Sequence, residues 1–241
     1  MQVAADQPGY ERPLSHRFGP LTRFGDLWLL TPPGVFVPRS DAGMLLEAAA
    51  GRVGERVLDL CTGSGVLALS VQPWAARVTA IDASRAAART ARLNSALNRR
   101  PIEVLDGNLF GPVAGRRFDT IISNPPYLPV AGGRDLRIGS RAWNGGHDGR
   151  DVIDRICRGA AAHLAPGGEV LLVQSSLTRV GPTLDLLQRS GLRTEVVASH
   201  SGPLGDLARA QLDHLRALGL APADEATEQI VVISGRSPAG S

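Results

Sequence analysis

Arg56-Val57-Leu58-Asp59-Leu60-Cys61-Thr62-Gly63-Ser64-Gly65-Val66-Leu67-Ala68-Leu69 is the stretch on which the fold turns. A short apolar run bounded by a glycine turn predicts a buried strand over Arg56–Leu60. Gly63 and Gly65 give a tight turn, and a helix follows over Val66–Gln72. The same unit recurs downstream. Strands are predicted at Arg77–Ile81, Ile102–Leu105, Phe118–Ser123, Glu169–Val173, Arg193–Ser199 and Gln229–Ser234. Helices are predicted at Ser84–Asn98, with apolar spacing at Ala88, Ala91 and Leu97, and at Asp151–Leu164, stopped by Pro166-Gly167-Gly168. Two more cover Leu177–Ser190 and Asp206–Leu218. Alternating strands and helices of these lengths predict an α/β fold, an open, doubly wound sheet of seven strands with helices on both faces.

Upstream, Phe24–Thr31 alternates and ends in Pro32-Pro33-Gly34, a short strand and turn. Ser40 or Asp41 is placed to cap a helix carrying Met44, Leu45, Leu46 and Ala48. The Pro-, Gly- and Arg-rich start predicts a flexible arm over residues 1–23. A single domain then spans 24–235, and 236–241 is expected to be a disordered tail.

The chain has 241 residues and is 43% hydrophobic, enough for one large α/β domain with a substantial core. Its 26 basic residues are all Arg, and the net charge is only +3. Only Arg99-Arg100 and Arg116-Arg117 are adjacent, and no basic stripe is interleaved with aromatics. Electrostatics therefore give little support for a nucleic-acid partner. Cys61 and Cys157 lie far apart, without the spacing of metal ligands or of a disulfide framework. His163, His200 and His214 show no ligand spacing either, so no metal is expected. No apolar run approaches the roughly 18 residues of a membrane span, and the start lacks a signal-like apolar segment. A soluble, cytoplasmic protein is the expectation.

Chemistry gathers where the strands end. The strand over Arg77–Ile81 runs into Asp82, whose carboxylate can accept hydrogen bonds from both hydroxyls of a ribose. A glycine turn with an acid about 20 residues later is a nucleoside-binding arrangement. Ala68 stands where the full dinucleotide fingerprint has a third Gly, an allowed substitution that decides little. The strand over Phe118–Ser123 runs into Asn124-Pro125-Pro126-Tyr127. Two prolines cannot continue a ladder, and they hold the backbone rigid. An amide, a proline carbonyl and a ring face are thereby fixed together, suited to gripping a planar group that carries an NH2.

Together, Asp59–Gly65, Asp82 and Asn124–Tyr127 resemble the S-adenosylmethionine-dependent methyltransferases of the class I fold. Within that class, the chain is most similar to the HemK-type glutamine N5-methyltransferases that modify peptide release factors. Two segments narrow it. Val35-Phe36-Val37-Pro38-Arg39-Ser40-Asp41 resembles the family's V-[YF]-x-P-R-x-[DE]-T segment, with Ala42 in place of its Thr. Trp143-Asn144-Gly145-Gly146-His147-Asp148-Gly149-Arg150-Asp151 resembles its Gly-Gly-x-x-Gly loop.

The resemblance implies a Rossmann-like, mostly parallel sheet whose last strand pair is antiparallel, and S-adenosylmethionine as cofactor. It implies cofactor binding by Asp59, Cys61, Thr62, Gly63, Gly65, Asp82, Asn108 and Asn124, with Asn108 standing where the family usually has an acid. Catalysis is assigned to Asn124, Pro125 and Tyr127, and substrate binding to these with Pro126 and Arg39. Only about 25 residues precede the catalytic domain, as in the short-form branch, which in some lineages works with a small zinc-binding activator subunit. The implied partner is a class 1 release factor.

Plainer readings stand beside these. Asp59 either orients the glycine loop or binds the cofactor's amino group. Arg39 touches a carboxylate or serves only its own helix start. Cys61 reads as a small buried residue and His147 as a surface or lid residue. Trp143 reads as an anchor for the loop over Val130–Asn144, taken as a mobile cover. The edge strand Ile102–Leu105 offers a docking surface. Competing functions are an adenine N6-methyltransferase on DNA or RNA, a small-molecule methyltransferase, and a cofactor-binding module without activity.

Overall fold

The computed structural model describes residues 14–16, 19–131, 142–221 and 227–240. Ahead of the main sheet, β1 (Leu14–His16), β2 (Gly19–Phe24) and β3 (Leu27–Leu30) pair antiparallel, and α1 spans Ser40–Ala49. Then follow β4 (Arg56–Leu60), α2 (Val66–Val71), β5 (Arg77–Asp82), α3 (Arg85–Asn98), β6 (Glu103–Asp106) and β7 (Phe118–Ser123). The second half holds α4 (Ile153–His163), β8 (Leu164–Ser175), α5 (Val180–Arg189), β9 (Arg193–Pro203), α6 (Asp206–Arg209), α7 (Leu212–Ala217) and β10 (Thr227–Arg236).

The seven-stranded sheet runs β6-β5-β4-β7-β8-β10-β9. Neighbours from β6 to β8 are parallel, and β10 is antiparallel to both β8 and β9. The chain moves outward from β4 to β6, then crosses back to lay β7 on the other side of β4. That reversal leaves a crevice at the carboxyl ends of β4 and β7, where ligands of open α/β sheets bind.

Strand alternation divides the core between two faces. Leu58, Ile121, Leu172 and Ile233 pack with Ile153, Ile156 and Cys157 of α4 and with Leu187 of α5. Val57, Ile122, Leu171 and Val232 pack with Leu45 of α1, Leu67 of α2, and Leu27 and Leu29 of β3. Strands covered on both faces read as nearly continuous apolar runs, which is why the sequence exposes them so clearly.

Residues 14–16 and 19–24 depart from expectation. Where a flexible arm is predicted over 1–23, β1 and β2 form a hairpin sheet with β3, turning at Gly25, which is left-handed (φ 57°). Residues 1–13 lie outside the described residues. Proline is tolerated here because Pro20 sits at the start of β2 and needs to give no N–H; its carbonyl accepts from the Thr31 amide at 3.0 Å.

The free edge of β3 is completed by a helix rather than a strand. Asn98 of α3 accepts from the Trp28 amide (2.9 Å) and donates to its carbonyl (2.8 Å). One turn earlier, Asn94 accepts from the Leu30 amide (2.8 Å) and donates to its carbonyl (3.1 Å) and to that of Ser64 (2.8 Å). Two side-chain amides four residues apart thus copy the donor–acceptor pattern of a neighbouring strand. Leu97, expected in the core, is exposed, since the polar amides rather than the leucine turn toward β3.

Other boundaries move for local reasons. Neither Ser40 nor Asp41 caps α1: the N-cap is Arg39, in extended backbone and without a side-chain cap bond. α4 ends at His163 as expected, but Pro166-Gly167-Gly168 lies inside β8, where the pairing with β7 shifts register. The predicted tail is held. Arg236 belongs to β10, the Gly167 amide donates to the Pro238 carbonyl and the Ser237 amide to the Gly168 carbonyl, both at 2.8 Å. Between β9 and β10, α6 and α7 insert and bury Leu204, Ala208 and Leu215 against Leu128, Val130 and Leu177.

Asn94 is fully buried, and truncating it strands three backbone polar groups. Asn94→Ala is expected to cost about 2–3 kcal/mol by urea denaturation, and Asn98→Ala, which lies nearer the surface, less than about 1 kcal/mol. Equal losses at the two positions would refute the stitching of β3 onto α3.

Candidate active site

β4, β5, β6 and β7 are parallel, so the segments following them open on one edge. After β4 the chain turns sharply: Cys61, Gly63 and Gly65 are all left-handed, at φ of 61°, 56° and 86°. For the glycines this costs nothing. A side chain at Gly63 would meet no atom within 4 Å, so the space above that turn is open.

The turn is held by Asp59, which is fully buried on β4. Its Oδ2 accepts from the Thr62 hydroxyl at 2.5 Å and from the Ala68 amide at 3.1 Å, while Oδ1 has no partner among the described residues. Burial pushes the Asp59 carboxyl up to about 7 against the pull of those two donors. Burial also raises the Cys61 thiol, aided by the nearby charges of Asp82 and Asp59, so the thiol keeps its proton.

At the end of β5, Asp82 Oδ2 accepts from the Gly63 amide (2.9 Å) and Oδ1 from the Ser84 amide (2.8 Å). Burial raises its carboxyl while these two amides oppose the shift. Each oxygen keeps a lone pair for a ligand. Asn108 follows β6, exposed on the same edge, with its carbonyl accepting from the Gly111 amide at 3.1 Å.

Beyond β7, Asn124 is half-buried and Pro125 buried. Asn124 Nδ2 donates to Asp41 Oδ2 at 3.0 Å, and the Tyr127 hydroxyl donates to the same oxygen at 3.0 Å. Burial, reinforced by the Asp41 charge, raises the Tyr127 phenol well above its usual value, so it keeps its proton and remains a donor. Arg39 is exposed at the entrance, its guanidinium 5.8 Å from the centre of the Phe36 ring.

The glycine loop following Trp143 backs this cluster. It pairs along the segment after Tyr127: Leu128 N to Trp143 O, Gly145 N to Leu128 O and Val130 N to Gly146 O, at 2.9–3.0 Å. At Gly149, left-handed at φ 79°, a Cβ would lie 2.4 Å from the Tyr127 carbonyl, so only glycine permits the approach. Arg150, buried, anchors the loop by donating to the Thr178 and Arg179 carbonyls and to the Thr183 hydroxyl. His147 meets His214 of α7 edge to face, with ring centroids 4.9 Å apart. The cover expected over Val130–Asn144 falls largely on residues 132–141, outside the described residues; its described ends are a buttress, with Trp143 packed beside α6 and α7.

Residues 26–141 match the family model of the methyltransferase small domain. A putative protein N5-glutamine methyltransferase of Methanocaldococcus jannaschii is 32% identical over 179 residues, covering 73% of this chain and 89% of that protein. The chain belongs to the protein N5-glutamine methyltransferase family. A release factor glutamine methyltransferase of Mycolicibacterium smegmatis is 36% identical over 201 residues, covering 78% of this chain and 70% of that one. Among solved structures, the Mtq2–Trm112 complex of E. cuniculi, responsible for methylation of the eRF1 translation termination factor, shares the fold. The TM-score is 0.58 at 22% identity, covering 85% of this chain and 99% of that chain.

For this methyltransferase, sequence reasoning gathers Asp59, Cys61, Thr62, Gly63, Gly65, Asp82, Asn108 and Asn124–Tyr127 onto one edge, and the structure places them there. It misses Asp41, read as a possible helix cap, and Asn94, which it does not single out. Asp41 lies in the segment that resembles the family pattern, a signal that could have drawn attention to it. Among the described residues no helix is long and apolar enough to cross a membrane.

The raised Asp59 carboxyl makes stability depend on pH. A carboxyl whose folded value lies above the free value of 3.8 contributes fully to folding below about pH 4, and loses that contribution as the pH climbs through about 7. The ligand-free protein is therefore expected to lose stability across that window relative to Asp59→Asn, which carries no titrating group there. Thermal melts at successive pH values measure the difference; a gap that stays constant with pH would contradict it.

Proposed function

We propose that this chain transfers a methyl group from S-adenosylmethionine to the side-chain N5 of a glutamine, in the Gly-Gly-Gln loop of a class 1 peptide release factor. One observation carries the reading: the Asn124 amide gives an N–H to Asp41, which turns its oxygen away from that carboxylate as an acceptor, on the segment that follows β7 beside β4. Family membership supplies the reaction class, and that acceptor pair suits an NH2 group.

The cofactor's fit rests on the space above Gly63 and on the carboxylates around it. Cys61, Thr62, Gly63 and Gly65 would hold it along the turn, with Asp59 fixing the turn from below. Asp82 would accept from ribose hydroxyls with its remaining lone pairs. Asn108 would accept from the adenine amino group, more weakly than the acid usual in the family, and Asn124 borders the methyl. S-adenosylmethionine supplies a methyl already activated on a sulfonium.

The protein's task is the nucleophile. An amide nitrogen attacks poorly because its lone pair is delocalised into the carbonyl. If Asn124 Oδ1 and the Pro125 carbonyl each accept one N–H, the nitrogen is held with its lone pair toward the methyl. The Tyr127 ring packs against the planar amide, Pro126 keeps the turn rigid, and Arg39 with Phe36 borders the entrance. No strong base is needed before attack, because the nitrogen becomes acidic as it is alkylated. Orientation and fixed acceptors are the main catalytic contributions.

This acceptor places the reaction in the cytoplasm. A small zinc-binding activator is a proposed partner, docking along the exposed edge of β6. There Arg92 donates to the Val104 carbonyl at 2.8 Å, a bond that an added strand would displace.

Asn124→Ala is expected to lower methyl transfer to a release factor by about 100-fold or more, while calorimetry shows cofactor affinity little changed. Wild-type turnover in the variant, or an equal loss of cofactor binding, would sink the assignment of Asn124. Parallel reactions with DNA, RNA and a release factor whose loop glutamine is replaced separate the acceptors. Methylation of nucleic acid alone would transfer the reading to an adenine amino group.

A further inference from the structure

We infer that Asp41 is a positioning residue for methyl transfer: a single carboxylate oxygen fixes both the Asn124 amide and the Tyr127 hydroxyl, so that the Asn124 oxygen faces the incoming nitrogen as an acceptor. The inference rests on the reading of Asn124 as the group that receives the acceptor's N–H.

An acid in the first turn of a helix ordinarily stays in water and interacts weakly with the helix end. Asp41 instead is only 7% exposed. Its Oδ1 takes the Ala42 amide at 2.8 Å, and its Oδ2 reaches 83 and 86 residues along the chain to Asn124 and Tyr127. Three donors converge on it, two of them from the segment after β7.

The consequence follows from what each group can give and take. An asparagine amide has nearly the same shape when its oxygen and nitrogen are exchanged, so packing alone orients it weakly. A carboxylate has no proton to give, so only the NH2 side of Asn124 can lie against it, and the oxygen must face away. Tyr127 is treated alike: its hydroxyl proton goes to Asp41, leaving no donor for the cleft. Released from Asp41, Asn124 could turn its NH2 toward the substrate NH2, donor against donor. The carboxylate therefore selects for a group with two N–H bonds to give, and against a carboxylate or carbonyl that needs a donor.

Asp41→Asn tests this at nearly constant volume. The new amide must present an N–H either to the Ala42 amide or to the Asn124 and Tyr127 donors, and Asn124 is free to reverse. Expected are a fall in kcat of about 100-fold, KM for the acceptor and cofactor affinity within about threefold of wild type, and partial rescue by Asp41→Glu. A second readout needs no turnover. In 15N-edited NMR spectra, the side-chain NH2 pair of Asn124, identified by its disappearance in Asn124→Ala, should carry one proton shifted downfield by the carboxylate. That shift should vanish in Asp41→Asn and persist in Tyr127→Phe, which keeps the Asn124–Asp41 bond and should lose less than about tenfold in kcat.

Wild-type kcat in Asp41→Asn, an Asn124 signal indifferent to Asp41, or a fall in turnover matched by cofactor affinity would overturn the inference. So would loss of the shift in Tyr127→Phe. A wild-type protein that methylates no release factor, yet shows the shifted signal and its loss in Asp41→Asn, supports the placement of Asp41 and overturns only the acceptor reading.

Discussion

A buried carboxylate must find donors or take up a proton, and the carboxyl edge of this sheet is organised by that constraint. Asp59, Asp82 and Asp41 stand close to the crevice, and each accepts from the protein's own N–H and O–H groups, though one oxygen of Asp59 is left without a partner among the described residues. Asp59 closes the turn between β4 and α2. Asp82 ties that turn to the start of α3. Asp41 ties the start of α1 to the segment after β7. Three elements far apart in sequence meet because three charges must be met in one place.

The second organising feature is the substitution of side chains for strands. Asn94 and Asn98 let α3 behave as the neighbour that β3 lacks, and Asn94 continues to the Ser64 carbonyl inside the glycine turn. The hairpin sheet at the start of the chain is thereby bonded to the loop that borders the crevice. On the other side, α6 and α7 bury Leu215 and its neighbours against Leu128 and Val130, just past Tyr127. The crevice is thus flanked by an early hairpin and a late helical insertion, each packed on a loop of the parallel sheet.

Much of this was legible in the sequence because parallel strands covered on both faces leave uninterrupted apolar runs, and the main clusters are contiguous: Asp59–Gly65 in one turn, Asn124–Tyr127 in another. What was not legible depends on partners distant in the chain. An acid before an apolar helix reads as a cap, and nothing local reveals that Asp41 faces Tyr127. Nothing in the sequence marks Asn94 or Asn98, since a helix matching a strand edge leaves no periodic trace. Pro166-Gly167-Gly168 reads as a terminator, yet the ladder absorbs it where the register slips. In the expected arm, residues 14–16 and 19–23 are strand instead: Pro and Gly mark hairpin turns and strand starts as readily as loose chain.

The strand order carries a consequence for how the chain reaches this form. β10 follows β9 in the chain yet lies between β8 and β9 in the sheet. Until it inserts, β9 has no strand beside it and β8 shows an open, apolar edge. The segment beyond β10 also closes on Gly167 and Gly168, so the antiparallel half of the sheet waits on β10. Its completion is a late, long-range event, of the kind that exposes unpaired strands before it rewards them.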